Sequence, residues 1–110
     1  VDGTFDLLHV GHLSTLAAAR AMGDYLVVGL HEDGEVRRAR PDAPPIMSLH
    51  ERALGLLACR WVDEVLIGAP FAVTRDILDA YRVSLVVCGG AVDSSEDPYA
   101  LPKALGILHV

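Results

Sequence analysis

Cysteine is scarce in this chain: only Cys59 and Cys88 occur in 110 residues. Two thiols cannot staple a disulfide scaffold, and their wide spacing fits no zinc pattern. Long apolar runs are missing too. Nothing approaches the roughly 18 residues that a membrane span needs, and no leading basic-then-apolar segment marks secretion. Those absences lead us to expect a cytoplasmic protein. Basic residues are in deficit, with nine Lys and Arg against fifteen Asp and Glu and a net charge of −6. That balance argues against a general nucleic-acid or anionic-membrane surface. An anionic ligand must then meet a local cluster of donors. What the chain has in plenty is hydrophobic residues, at 52%. A globular chain of this length buries about two-thirds of its extended surface, so disorder is not expected. One domain over 1–110 is expected, cut at both ends: Val1 directly precedes a glycine-bearing loop, and residues 106–110 read as a strand without a successor.

Short β-branched runs alternate with amphipathic stretches. Leu13–Met22 places Leu13, Leu16, Ala17 and Ala21 on one face, with Gly23 as a stop. Tyr25–Leu30 is an apolar run of the kind buried on both faces. Residues 31–45 turn polar, with Arg37, Arg38 and Arg40 and then three prolines, and read as a loop or lid. Ser48 and Glu51 have the form of a capping box for a helix running to about Arg60. Asp63–Ile67 and Ser84–Cys88 read as strands, with a helix from Thr74 to Tyr81 between them, and a short helix near 97–105 precedes the last strand. This order implies a parallel sheet with helices on both faces, an α/β fold. Ligands in such sheets bind beyond the carboxyl ends of the strands.

The informative stretch is Val1-Asp-Gly-Thr-Phe-Asp-Leu-Leu-His-Val-Gly-His12, on the first strand-to-helix turn. Gly3 permits a tight turn, and Gly11 lets the helix begin against a bulky group. A helix start offers unpaired amides and the positive end of a dipole. His9 and His12 can aim imidazole N–H groups at one anion there, with a phosphoryl group expected between the two rings. A metal reading would need a third donor, for which His31 is the candidate. We assign no metal ligand.

The segment Gly3-Thr-Phe-Asp-Leu-Leu-His-Val-Gly-His12 resembles the signature of the cytidylyltransferases, within the H-x-G-H nucleotidyltransferase superfamily. Arg60-Trp-Val-Asp-Glu-Val65 resembles their second signature. Pro45-Ile-Met-Ser-Leu-His-Glu-Arg52, Leu57-Ala-Cys-Arg60, Ile67-Gly-Ala-Pro70, Asp97-Pro-Tyr-Ala-Leu-Pro102 and Gly106-Ile107 are similar to the C-terminal lobe of the ethanolamine-phosphate branch. The resemblance implies a Rossmann-like fold of the nucleotidyltransferase type. It also implies transfer of CMP from CTP to phosphoethanolamine, giving CDP-ethanolamine and pyrophosphate, with Mg²⁺ as cofactor. A second cytidylyltransferase lobe or subunit is the expected partner.

The resemblance assigns catalytic roles to His9, His12 and Arg40. It assigns nucleotide contacts to Gly3, Thr4, Phe5, Asp6, Gly11, Arg60 and Gly89. Asp6 has three open roles: orienting a histidine, standing near a metal, or capping its own loop. Arg40 aligns with a family Lys, and Pro41 follows where Gly is frequent. Cys88 stands where relatives often carry His, which weakens any donor role there. A Ser/Thr-rich motif of the family would lie beyond Val110. Two other readings stay open: a lobe that binds nucleotide without doing chemistry, and transfer to glycerol phosphate or phosphocholine or from ATP.

Overall fold

In the computed structural model of the chain, the described residues are 1–39, 41–42, 44–88 and 98–109. They fall into two compact units, Val1–Ala69 and Pro70–Val110.

The first unit is built on three parallel strands in the order β1 (Asp2–Gly3), β2 (Val27–Leu30), β3 (Glu64–Ile67). Asp2 pairs with Gly29 and Gly3 with Leu30, while Val27 to Leu30 run beside Glu64 to Ile67. The central strand is the most buried: Val28 and Leu30 have no exposed surface. Helix α1 (Val10–Ala21) connects β1 to β2 and buries Leu16 and Ala19. Its last turn carries Arg20, favourable at the negative end of the helix dipole. Helix α3 (Leu49–Leu57) leads to β3 and buries Arg52, Ala53 and Leu56. The expected capping box is present: Ser48 Oγ accepts from Glu51 N–H at 3.2 Å, and Glu51 Oε1 accepts from Ser48 N–H at 3.2 Å.

One expectation is corrected. Residues 31–45 are not loop throughout, because Asp33–Ala39 forms helix α2. The charges that made it read as a solvated loop are ordered along a helix axis. Asp33 and Glu35 sit in the first turn and Arg37 and Arg38 in the last, complementing the dipole at both ends. Arg38 pairs with Glu35 at 3.1 Å, and Val36 is buried. The prolines that suggested a loop come only afterwards.

The start of β3 is tied to β2 through its acidic pair. Asp63 Oδ2 accepts from Leu26 N–H at 2.8 Å and meets Arg20 Nε at 3.0 Å, and Glu64 Oε1 accepts from the Tyr25 hydroxyl at 2.9 Å. These carboxylates tie the two strand starts together.

The second unit contains α4 (Arg75–Ala80), β4 (Val86–Val87), α5 (Ala100–Leu105) and β5 (Leu108–His109). Strands β4 and β5 are parallel, with Val86 opposite Leu108. Thr74 caps α4 by accepting from Ile77 N–H, as its sequence position predicts. Gly106 ends α5 at φ +71, a left-handed conformation that glycine adopts without steric cost. Both units thus carry parallel strands joined through helices, an α/β arrangement. Among the described residues no helix is long and apolar enough to cross a membrane.

Candidate active site

The turn from β1 into α1 is backbone-strained. Phe5 and Leu7 hold φ values of +50 and +48, left-handed for non-glycine residues. Each such residue costs about 1–3 kcal/mol and persists only where its surroundings hold it. Phe5 is held by burial, with its ring beneath Gly3. A Cβ at Gly3 would stand 3.1 Å from that ring, close enough that the ring would have to shift.

Beyond the strain the chain enters α1 through a reciprocal histidine cap. His9 is the N-cap residue, in extended conformation. Its Nδ1 accepts from Gly11 N–H at 3.0 Å, and Nδ1 of His12 accepts from His9 N–H at 3.2 Å. Two helix-start amides are satisfied this way, as Ser and Glu do at α3. The cap also explains Gly11: a Cβ there would fall 2.8 Å from His9 Cε1.

The cap fixes the tautomer of both rings. A nitrogen that accepts from an amide carries its lone pair, so the proton of each neutral imidazole is on Nε2. No described residue hydrogen-bonds either Nε2. The rings stack with centroids 3.9 Å apart and planes 30° apart, and the Phe5 ring is tilted 57° to His12 at 5.6 Å. The two histidines therefore share one side of the turn, as expected. The expectation of a phosphoryl group between them is corrected: stacked faces admit nothing, and the donors lie along the ring edges. Burial, and then the neighbouring His9, hold the His12 imidazole below its usual value of 6.5. The neutral form with its Nε2–H is favoured.

Other assigned residues take places that sequence did not reveal. The Asp6 carboxylate accepts from Ile46 N–H at 2.6 Å and from Met47 N–H at 2.9 Å. These amides, Ile46 first, hold its carboxyl below the usual range, against a smaller opposing effect of burial. Among the described residues Asp6 makes no hydrogen bond to either histidine and instead ties its turn to residues 46 and 47. The Thr4 carbonyl turns to Arg52, accepting from Nη1 at 2.9 Å. Arg60 is not brought to the turn. Helix α3 runs opposite to the strands, so its C-terminal end and Arg60 lie toward the start of β3, the edge away from the α1 entry. There Arg60 stacks its guanidinium 4.7 Å over Trp61. Arg40 and Gly89 lie outside the described residues. His31 does not join His9 and His12 either: its Nδ1 is 3.0 Å from the Ala69 carbonyl and its Nε2 is 3.6 Å from Asp2 Oδ2. Among the described residues no three His, Cys, Asp or Glu side chains gather as a metal-binding set.

Sequence reasoning missed Arg52, whose side chain is fully buried. Its guanidinium donates to the carbonyls of Thr4, His31 (2.8 Å) and Met47 (3.3 Å), and pairs with Asp33. One side chain ties the β1–α1 turn, the end of β2, α2 and the start of α3 together. The available signal was an arginine sharing a helical face with Ala53 and Leu56.

A family model for cytidylyltransferase-like proteins matches residues 1–106. The ethanolamine-phosphate cytidylyltransferase of Dictyostelium discoideum is 51% identical over 97% of this chain and 31% of its own length. That of Arabidopsis thaliana is 47% identical over 100% of this chain and 28% of its own. The chain therefore spans about three-tenths of the length of these curated relatives. Among solved structures, the lipopolysaccharide core biosynthesis protein from Thermoplasma volcanium GSS1 matches with a TM-score of 0.74 and 25% identity. That match covers 97% of this chain and 86% of that one. With the family model running over nearly its whole length, this chain belongs to the cytidylyltransferase-like family.

Proposed function

We propose that this chain is the nucleotide-binding part of a lobe that transfers CMP from CTP to phosphoethanolamine, releasing pyrophosphate. The observation that carries the reading is the reciprocal cap, which leaves each of two adjacent imidazoles with a proton on Nε2. Similarity to ethanolamine-phosphate cytidylyltransferases supports the choice of nucleotide and acceptor.

In this reading a phosphate oxygen of phosphoethanolamine attacks the α-phosphorus of CTP in line. The bond from that phosphorus to the bridging oxygen breaks, and pyrophosphate leaves with the electron pair. No enzyme nucleophile takes part. The work is positioning and charge stabilisation, which preorganised donors do best. His9 and His12 donate from Nε2 to phosphate oxygens as negative charge builds up on them. The dipole of the twelve-residue α1 points its positive end at the same place. Arg40 and Gly89 keep their roles here as assigned by family resemblance. Mg²⁺ with a nucleotide commonly needs only one or two carboxylates beside the phosphates, and Asp6, whose oxygens also accept the Ile46 and Met47 amides, is the acidic side chain on the turn. The cation expected with CTP would screen the phosphate charges, and no step is routed through it. A second lobe or subunit of the same family is the partner proposed, in a cytoplasmic setting.

The test is CDP-ethanolamine formation by the full-length protein, with CTP and ATP and with phosphoethanolamine, phosphocholine and glycerol phosphate as acceptors. CTP with phosphoethanolamine is expected to be preferred. His12→Ala is expected to lower kcat by about 10²–10³-fold, the usual loss for one donor to a developing oxyanion. Undiminished turnover in both His9→Ala and His12→Ala would overturn the reading.

A further inference from the structure

The site turn is gripped by a segment forty residues away in sequence. Asp6 takes the amides of Ile46 and Met47 on its two oxygens, and Leu7 N–H donates to the thioether Sδ of Met47 at 3.3 Å. Both partners lie beside the strain, between Phe5 at φ +50 and His9, with Leu7 itself at φ +48. Residues 46 and 47 lead directly into the Ser48 cap of α3, and Arg52 one turn on holds the Met47 and Thr4 carbonyls. The left-handed turn that aims His9 and His12 is thus held from outside, by the entry to α3.

We propose that this clasp makes Asp6 and Met47 positioning residues, which hold the histidine turn ready for a triphosphate without touching it. The inference rests on the proposed function and assigns Asp6 a role other than nucleotide contact. Its consequence is a particular kinetic pattern. If the clasp only keeps the binding-competent turn populated, losing it multiplies apparent affinity by the fraction of protein that stays competent. Once CTP is bound the turn is remade, and the chemical step is unchanged. KM for CTP then rises while kcat holds, the pattern of lost uniform binding. A ligand of the metal or of the reacting phosphate would instead lower kcat or change the Mg²⁺ requirement.

The experiment uses the full-length protein with Asp6→Asn and Met47→Leu. Asp6→Asn keeps one acceptor oxygen, and Met47→Leu keeps volume while removing the thioether. KM for CTP is expected to rise about tenfold in Asp6→Asn and about threefold in Met47→Leu, the sizes of a lost charge-assisted and a lost weak hydrogen bond. Values of kcat should stay within about twofold. Amide hydrogen exchange at Ile46 and Met47 should speed up in Asp6→Asn, a readout independent of turnover. A fall in kcat at unchanged KM, a shifted Mg²⁺ dependence, or wild-type kinetics in both variants would overturn the proposal. Loss of turnover in His12→Ala alongside wild-type kinetics in both clasp variants leaves the proposed function standing and removes only the clasp. If instead wild-type protein forms no CDP-ethanolamine, the functional reading fails, and the exchange rates still test the clasp.

Discussion

His12 is both a structural cap and a proposed phosphate donor, and the two roles respond to pH in opposite ways. Its Nδ1 must be unprotonated to accept from His9 N–H. Burial and the neighbouring His9 lower its pKa in the folded state, so the folded protein binds this proton less tightly than the unfolded chain does. The cap's contribution is therefore complete above the usual value of 6.5 and is lost as pH falls through the lowered folded value. Without nucleotide, the denaturation midpoint of the full-length protein should drop between pH 7.5 and pH 5. His12→Ala should flatten that slope, and an unchanged slope would show that the proton goes elsewhere. Saturating CTP should reduce the drop, because an anion at Nε2 favours the protonated ring. The residue scale was partly legible. Two histidines at a glycine-bearing helix start suggested a phosphate cradle, but their mutual capping and stacking depend on backbone angles that composition does not encode. Asp6 was legible as a motif residue and not as a clasp, since its partners Ile46 and Met47 are brought there only by the fold.

Helix α3 carries more of the site than its sequence suggests. The Ser48–Glu51 box was readable because capping is local, with donor and acceptor three residues apart. Arg52 was not, because its partners Thr4, His31 and Asp33 come from three other elements. Arg52→Met should keep much of the buried volume while leaving the Thr4, His31 and Met47 carbonyls and Asp33 without their donor. We expect a loss of about 2–4 kcal/mol, below the full cost of breaking a buried ion pair because Asp33 is 40% exposed. Chemical denaturation checks this, and a change under about 0.5 kcal/mol, as at an ordinary surface site, would contradict it. Helix α2 shows the converse error. Its charges suggested a loop by composition, yet their order along the chain, acidic before basic, is a helix signature.

At the scale of the molecule, a chain of net charge −6 is read as a binder of one of the most anionic small metabolite types. The two facts are compatible because the donors are local: two Nε2–H groups and one helix start, in a protein whose overall field repels nucleotides. The α/β order was legible from the alternation of β-branched runs and amphipathic stretches, since parallel strands need crossover helices. Placement across the sheet was not: Arg60 looked like a site residue by motif, while the opposed direction of α3 carries it to the far edge. The central claim is that His9 and His12 offer their Nε2 protons to the triphosphate. Long-range proton–nitrogen NMR of full-length protein labelled with ¹⁵N only at histidine reads this directly, with His9→Ala and His12→Ala assigning the signals. The expected result is the Nε2–H tautomer at both residues without ligand, and displacement of both Nε2 resonances by CTP. A proton on Nδ1 of either ring, or Nε2 resonances unmoved at saturating CTP, would contradict it.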